Sequence, residues 1–325
     1  MALDPSEKIY LGNNKLAVRT QWGGHVVVPS FNLDVALGAA RDGVIEPWTT
    51  RVVQAILKPG DVYLNAGANF GYYIALAGHL VGVEGKVYAV EPNPYIFPFL
   101  MHTIYWNGTP NQTEMYNRAL ADKEGLDLTF RFDPQYLGGG SSAIHVTGVD
   151  RPPAGYPGFT TLEAAFWSAE NLPRQTRDDG RVIETSGLMI EFPAKTTTID
   201  KICQGSSKVS LIHLDIEGAE SFALAGSTET IKRSPDIKFI TEWSAYHHYV
   251  HGTEDARHHF IAFWNLVESM GYRVSRIETV FSAEGKITLS QPLSLAEMTQ
   301  TASHGDYVWA PINDPFWTSS DINQL

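Results

Sequence analysis

Cysteine is almost absent from this chain of 325 residues, which contains only Cys203. A single cysteine excludes an internal disulfide bond and any cluster of thiolate ligands, and it fits a reducing compartment. Long hydrophobic runs are also missing, because no stretch of about 18 apolar residues occurs. The first residues, MALDPSEKIY, have neither a basic leader nor an apolar segment. We therefore expect a soluble cytoplasmic protein that does not interact with a membrane.

Basic residues are scarce relative to acidic ones. The chain has 24 Lys and Arg residues against 36 Asp and Glu residues, so its formal charge is −12 at pH 7. No run of Lys or Arg supplies the local positive charge that nonspecific binding to phosphate backbones requires. Nucleic acid is therefore not an expected partner. The oligomeric state is unknown at this stage, because no sequence feature indicates it.

Strand and helix patterns alternate from residue 46 onward. Residues 1–45 contain short alternating runs typical of small strands, which predicts an N-terminal cap. A helix is predicted over 46–57, followed by DVYLNAG as a strand, YYIALAGHL as a helix and KVYAVEP as a second strand. The next helix, in YIFPFLMHTIYWNG, is expected to be interrupted by Pro98. This alternation predicts an α/β fold over 46–325, with a mostly parallel sheet covered by helices on both faces.

The alternation lapses between residues 134 and 190, where Gly, Pro and Ser are frequent. A segment of this length inside a compact domain is typically functional, and we predict an inserted lid. Four aromatic residues of this segment are enough to cover a bound acceptor: Tyr156, Phe159, Phe166 and Trp167. The sheet pattern returns in VSLIHLDIEG and IKFITEW, and GDYVWAPI is predicted to be a final edge strand.

The stretch NAGANFG links the first strand of this alternating region to its helix. Gly67 and Gly71 would let the backbone approach a ligand closely, and the helix that follows offers free N–H groups. The spacing is Gly-x-x-x-Gly with Asn69 at its centre, whereas a dinucleotide site has Gly-x-Gly-x-x-Gly. Glu91 ends the second strand, where a carboxylate can accept hydrogen bonds from ribose hydroxyls. An acid at this position is found in binders of NAD and of S-adenosylmethionine alike.

Five segments together resemble the FkbM family of S-adenosylmethionine-dependent methyltransferases. They are LKPGDVYLNAGANFGYY, GKVYAVEPNP, NRALADKEG, TTTIDKI and LIHLDIEGAE, in that order between about residues 46 and 242. The resemblance implies the class I methyltransferase fold, a Rossmann-like sheet of seven strands whose last strand is antiparallel. It also implies S-adenosylmethionine as the cofactor and O-methylation of a hydroxyl on a glycan or small-molecule natural product.

The resemblance further implies a set of cofactor-binding residues. At one of these positions the family usually has Asp, which helps to hold the methionine end of the cofactor, and this chain has Asn65. Asparagine keeps hydrogen-bonding ability but lacks the negative charge that attracts a sulfonium and an ammonium. The expected set is Asn65, Gly67, Asn69, Gly71, Glu91, Asn93, Ala119, Ser142 and Asp215.

Acids and histidines follow the later strands, where acceptor and cofactor are expected to meet. Asp215 ends a buried apolar strand, and Glu217 fits either the site or a cap on the following helix. Glu242 ends the next strand and precedes a group of histidines, whose side chains can remove a proton from a hydroxyl near neutral pH. We predict that Asp215 and one of His247 or His248 are the catalytic proton acceptor and its orienting partner.

Several alternatives stay open on the sequence. His247 and His251 are four residues apart, so on a helix they could bind a divalent metal with a carboxylate, but spacing alone is weak and no metal is predicted. Trp243, Tyr246 and Tyr249 fit either a wall for a ring or simple packing. An NAD(P)-dependent oxidoreductase and a catalytically inactive cofactor-binding module are the alternative functions.

Overall fold

A computed structural model describes residues 7–31, 35–132, 143–145, 175–176, 182–183, 190–244, 253–300 and 304–325. Several positions singled out in the sequence lie outside these ranges. They are Ser142, Tyr246, His247, His248, Tyr249, His251 and most of the expected lid between residues 134 and 190. The other candidate residues can be placed in the fold.

Strands and helices alternate through most of the described chain. The strands are β1 (Lys8–Gly12), β2 (Lys15–Arg19), β3 (His25–Pro29), β4 (Val62–Ala66), β5 (Lys86–Val90), β6 (Thr113–Tyr116), β7 (Ala119–Leu120), β8 (Asp127–Phe132), β9 (Ala143–His145), β10 (Gln175–Thr176), β11 (Val182–Ile183), β12 (Ile190–Thr197), β13 (Leu211–Leu214), β14 (Lys238–Ser244), β15 (Tyr272–Phe281), β16 (Ile287–Leu289), β17 (His304–Pro311) and β18 (Ile322–Gln324). The α-helices are α1 (Val35–Asp42), α2 (Pro47–Ile56), α3 (Tyr72–Val81), α4 (Phe97–Trp106), α5 (Ile199–Ile202), α6 (Glu220–Ala225), α7 (Thr228–Arg233), α8 (Glu254–Ser269) and α9 (Leu295–Met298).

The main sheet has nine strands in the order β18-β16-β15-β17-β14-β13-β4-β5-β6. The strands β14, β13, β4, β5 and β6 pair in parallel, while β17 is antiparallel to both of its neighbours. Seven strands, from β15 to β6 in this order, therefore form the expected class I methyltransferase arrangement. Its helices lie on both faces.

Three expectations about this sheet were wrong in detail. It has nine strands and not seven, because β16 and β18 continue it beyond β15 and pair the backbone of an edge that would otherwise be open. The strand in GDYVWAPI is not at the edge but between β14 and β15, in keeping with its buried run from Tyr307 to Ala310. Pro98 does not interrupt a helix, because it stands in the first turn of α4, where a missing N–H is tolerated.

Two smaller sheets flank the main one. The N-terminal strands form an antiparallel sheet in the order β1-β2-β3, and its buried residues Val26 and Val28 pack against Phe70 and Phe99. A second sheet has the order β7-β12-β8-β9, with β12 parallel to β7 and antiparallel to β8. The N-terminal sheet therefore covers the segments that follow β4 and β5.

The core lies on both faces of the main sheet. Along β4, Tyr63 belongs to the cluster that packs against α2 and α3, while Leu64 and Ala66 belong to the cluster on the opposite face. This alternation is expected for a parallel strand covered on both sides. Among the described residues, no helix combines the length and the apolar character needed to cross a bilayer.

Candidate active site

The loop between β4 and α3 is held by contacts with the protein itself. Gly67 has a φ of +77°, and a Cβ atom there would lie 1.8 Å from the backbone carbonyl oxygen of Asp215. A Cβ at Gly71 would lie 2.8 Å from a methyl group of Leu100 in α4. The sequence argument assigned this space to a ligand. The structure shows that both glycines are needed first for the close approach of neighbouring strands and helices.

Glu91 fixes the conformation of this loop. Its side chain is 6 % exposed, and its two oxygens accept hydrogen bonds from the backbone N–H groups of Asn69 (2.9 Å) and Asn93 (2.8 Å). Burial raises the pKa of Glu91 to about 7, although these two hydrogen bonds favour its charged form. A carboxylate has about four lone-pair sites, so Glu91 retains acceptor capacity beside the loop.

Two of the expected cofactor-binding asparagines carry buried polar atoms without a partner among the described residues. The Asn65 amide nitrogen donates to the carbonyl oxygen of His213 at 3.2 Å, whereas its Oδ1 atom is unpaired. Asn93 accepts a hydrogen bond from the N–H of Tyr95 at 2.9 Å, and its amide nitrogen is unpaired. These two atoms are therefore available to hydrogen-bond a polar ligand.

Ala119 is placed differently from the other expected cofactor positions. It is the first residue of β7 and is buried where that strand pairs with β12. Its methyl side chain offers no polar atom.

Five carboxyl groups converge at the carboxyl ends of β13 and β14. Oxygen atoms of Asp215, Glu217 and Glu242 all lie within 4.8 Å of one another. Asp306 in β17 pairs in register with Glu242, and Glu46 precedes α2. The cluster therefore joins acids from distant parts of the chain.

The acids of this cluster have raised pKa values. Burial raises the pKa of Asp215 well above its usual range, and the neighbouring charges of Glu46 and Glu242 raise it further. Burial is also the main reason that the pKa values of Glu242 and Asp306 are raised. The neighbouring Asp215 carboxyl offsets part of this rise in the pKa of Glu242.

Glu46 and Glu217 have pKa values raised to about 7, in both cases mainly by desolvation. Both residues keep exposed surface, so water moderates the rise. Two hydroxyl groups stabilise the charged forms of acids in the cluster. The Tyr73 hydroxyl donates to Glu46 at 2.7 Å, and the Thr49 hydroxyl donates to Asp306 at 2.6 Å.

A pocket connects this carboxyl cluster with the glycine loop. Gly67, Asn69, Tyr73, Glu46 and Asp215 are among its lining residues. S-adenosylmethionine carries a positive sulfonium and a positive ammonium, which suit an acid-rich wall. The chemistry of this wall, of the Glu91 carboxylate and of the two unpaired asparagine atoms therefore suits this cofactor.

Two readings of neighbouring residues are settled by their contacts. Glu220 is the first residue of α6, and its oxygens accept from the N–H groups of Ile216 (2.8 Å) and Gly218 (3.1 Å) in the turn before that helix. Glu220, and not Glu217, therefore fixes this turn. Trp243 is core packing rather than a wall of the pocket. It is 2 % exposed, stacks on Phe260 with a centroid distance of 4.0 Å, and donates its indole N–H to a backbone carbonyl.

Sequence reasoning missed Glu46, Tyr73 and Asp306. Glu46 resembles an ordinary acid at the start of a helix, and Asp306 lies in a strand that was interpreted as an edge. The usable signal was Asp306 itself, since an acid immediately before the buried run YVWA requires a partner.

The cluster also offers a donor set for a cation. Asp215, Glu217 and Glu242 can each supply one oxygen, and hard divalent cations prefer carboxylate oxygens. The histidines considered as metal ligands from the sequence, His247 and His251, lie outside the described residues.

Comparison with known proteins decides the family. The Methyltransferase FkbM domain matches residues 65–274, which is more than half of the chain. This protein belongs to the FkbM methyltransferase family. Membership confirms the resemblance and the expected cofactor, S-adenosylmethionine, and gives no support to the nicotinamide alternative. The FkbM domain begins at Asn65 and includes all of the expected cofactor-binding residues.

A curated relative is 31-O-demethyl-FK506 methyltransferase FkbM of Streptomyces tacrolimicus. It is 28 % identical over 176 residues, which cover 52 % of this chain and 60 % of the relative. The match therefore spans less than two thirds of that FkbM protein.

Solved structures with similar elements include two O-methyltransferases. One, from Thermotoga maritima, is described as S-adenosylmethionine-dependent and has 13 % identity and a TM-score of 0.38, with 95 % of this chain and 86 % of that chain covered. The other, from Bacillus cereus in complex with S-adenosylhomocysteine, has 10 % identity and a TM-score of 0.39, with 85 % of each chain covered. Both TM-scores are low, so these structures add no argument to the one that the strand order of this FkbM protein already gives.

Proposed function

We propose that this FkbM family member transfers the methyl group of S-adenosylmethionine to a hydroxyl oxygen of a small-molecule natural product or glycan. The observation that carries the proposal is the close approach of the Asp215 and Glu242 carboxyl oxygens, which lie within 4.8 Å of each other, with Asp215 lining the pocket of the glycine loop. The curated relative, whose name describes methylation of an oxygen on FK506, supports an oxygen acceptor.

Binding and orientation come from the loop side of the pocket. Glu91 and the polar atoms of Asn65 and Asn93 would hold the cofactor, while Glu46 provides negative charge near its cationic end. When bound, S-adenosylmethionine supplies a methyl group on a sulfonium that is already a good leaving group. The protein must therefore mainly align the acceptor oxygen and remove its proton.

Proton removal is assigned to the carboxyl pair. Because burial raises the pKa of Asp215 furthest, Asp215 keeps the shared proton and Glu242 is the charged partner. Glu242 is thus the acceptor for the hydroxyl proton, and Asp215 orients it. A raised pKa brings a carboxylate closer to neutral pH, where it is a stronger base than an ordinary surface acid. His247 and His248 remain proposed partners from the sequence.

The test compares Glu242→Gln and Asp215→Asn with Glu229→Gln, an exposed acid on α7 that is ion-paired with Lys232. Turnover is measured over a panel of hydroxylated acceptors, and S-adenosylhomocysteine binding is measured by calorimetry. Loss of the base should lower kcat about 10²–10⁴-fold, with cofactor binding retained. The control variant should keep full activity.

Three results would contradict this assignment. Near-normal kcat in both site variants would mean that alignment alone is responsible for catalysis. Inactivation by a chelator with rescue by a divalent cation would make the same carboxylates metal ligands. Cofactor binding without turnover on any acceptor would favour the inactive binding module.

A further inference from the structure

A second cavity lies against helix α2. Its volume is about 280 Å³, near the lower limit of roughly 300 Å³ for small-molecule pockets and far above the roughly 30 Å³ of one water molecule. Its walls come from the segment after β2, from α2, from the first residue of α3 and from the turn between β15 and β16. The cavity is therefore large enough for a single ring with a substituent.

The polar wall of this cavity carries a cation and an amide. Arg51 and Gln54 are three residues apart on α2 and thus share one face of the helix. Within the described part of the chain, no acid pairs with Arg51, although acids outnumber bases by 36 to 24. The Gln54 amide has no protein hydrogen bond there either. Both groups are free to bind an anion.

The remaining walls are aromatic. Trp22, Tyr72 and Phe281 line the cavity, and the ring of Trp22 meets that of Tyr72 edge-on with a centroid distance of 6.1 Å. Phe281 is 39 % exposed and stacks on Trp48, so it forms an apolar rim at the entrance. Aromatic faces of this kind bind rings. A cation beside aromatic walls selects a ring that carries negative charge.

One residue belongs to both cavities. Tyr72 lines the reaction pocket and also the second cavity, and its hydroxyl lies 3.2 Å from that of Thr50 in α2. Tyr72 is buried and forms part of the wall between the two cavities, but the exposed Glu46 of the reaction pocket is followed directly by Pro47 of the second cavity. A ligand that lies across this start of α2 would reach the carboxyl cluster. The second cavity is therefore placed to bind a distal part of the molecule whose hydroxyl enters the reaction pocket.

We propose that this cavity is an accessory subsite for a ring-bearing anionic portion of the methyl acceptor, with Arg51 as its cation. The anionic group is a carboxylate, as in a uronic acid, or a phosphate ester. The assignment of the ligand as part of the acceptor depends on the proposed methyltransferase function. The existence of the subsite does not, because it can be tested by binding alone.

The experiment is calorimetric titration of the full chain, saturated with S-adenosylhomocysteine, at low ionic strength. The probes are glucuronate, glucose 1-phosphate, neutral glucose and inorganic phosphate. One or both of the ring-bearing anions should bind saturably, and glucose and inorganic phosphate should each bind about tenfold or more weakly. Arg51→Gln should weaken binding of the anion by about tenfold or more, and Arg51→Lys by less, because Lys keeps the charge but not the planar fork.

The matched control is Lys208→Gln, which removes the same charge from an exposed position outside the cavity. It should leave binding unchanged. Equal losses of affinity for the anion in Arg51→Gln and Lys208→Gln would show that the net charge of the protein causes the effect. That result would overturn the proposed subsite. Inorganic phosphate binding as tightly as the ring-bearing anions would remove the role of the aromatic walls. The absence of saturable binding by either ring-bearing anion would also overturn the proposal.

Activity then tests the link with the acceptor. With an acidic acceptor, Arg51→Gln should raise KM about tenfold with little change in kcat, and it should not affect a neutral analogue. A fall in kcat at unchanged KM would contradict a binding role. If no acceptor is methylated while glucuronate or glucose 1-phosphate still binds through Arg51, the proposed function fails and the subsite stands.

Discussion

Replacement of Gly67 by alanine separates two explanations for the glycine loop. If the glycine is kept for a ligand, the variant should lose only the stability that backbone strain costs, and it should lose cofactor binding. If it is kept for the contact with Asp215, the variant should lose stability even without a ligand. The structure favours the second explanation, because the added Cβ would lie 1.8 Å from the Asp215 carbonyl oxygen.

The expected loss of stability has two parts. Alanine at a φ of +77° is strained by about 1–2 kcal/mol, as in any left-handed conformation. Relief of the clash requires a shift of the backbone after β13, which we place at about 1–3 kcal/mol by analogy with overpacked cores. The sum is roughly 2–5 kcal/mol.

Gly60 provides the matched control. It has a φ of +86°, and nothing lies within 4 Å of a Cβ built there. Gly60→Ala should therefore lose only the strain of about 1–2 kcal/mol. The assay is urea unfolding of both variants without cofactor, followed by calorimetric titration with S-adenosylhomocysteine. Equal unfolding free energies in the two variants, together with loss of binding only in Gly67→Ala, would refute the contact explanation.

Three further predictions concern the acids and Asn65. A carboxyl whose folded pKa is raised holds its proton at pH values where the unfolded chain has released it, so its contribution to stability is lost as pH rises. The folded pKa values of Glu46 and Glu217 are about 7 against an ordinary value of 4.5, so the free energy of unfolding should fall between pH 5 and 7.5. Glu217→Gln should flatten that profile, and a wild-type profile that rises over this range would contradict the cluster. Glu220→Ala should lower the free energy of unfolding in urea by at least about 2 kcal/mol, because it leaves two backbone N–H groups without their acceptor. Replacement of the exposed Glu229 by alanine should change it by less than about 1 kcal/mol. Asn65→Asp should be less stable than wild type in the absence of cofactor, because a buried carboxylate cannot donate to the carbonyl oxygen of His213. The loss of stability should be larger at pH 8 than at pH 5. An unfolding free energy of this variant that does not change with pH would contradict this prediction.

The sequence by itself determined the fold class, the family and the cofactor. Alternating strand and helix patterns are local signals, so they can be recognised without knowledge of the tertiary structure. The five segments that resemble the FkbM family are likewise local, and the family that they indicate is confirmed by the domain match. Asp215 could be proposed from the sequence because it follows a buried strand, and parallel strands bring their carboxyl ends to one edge. Glu242 lies inside β14, and its place beside Asp215 comes from the structure.

The tertiary structure alone decided how the pocket is completed. Thr49 and Asp306 are 257 positions apart, yet they share a hydrogen bond because β17 inserts between β14 and β15. No local pattern encodes that insertion, which depends on which strand edges remain to be paired. The contact of Gly67 with the Asp215 carbonyl depends in the same way on the register of β4 against β13. Spacing in the sequence reports only which residues share a strand or a helix face, whereas the convergence of distant acids is set by the packing of the whole sheet.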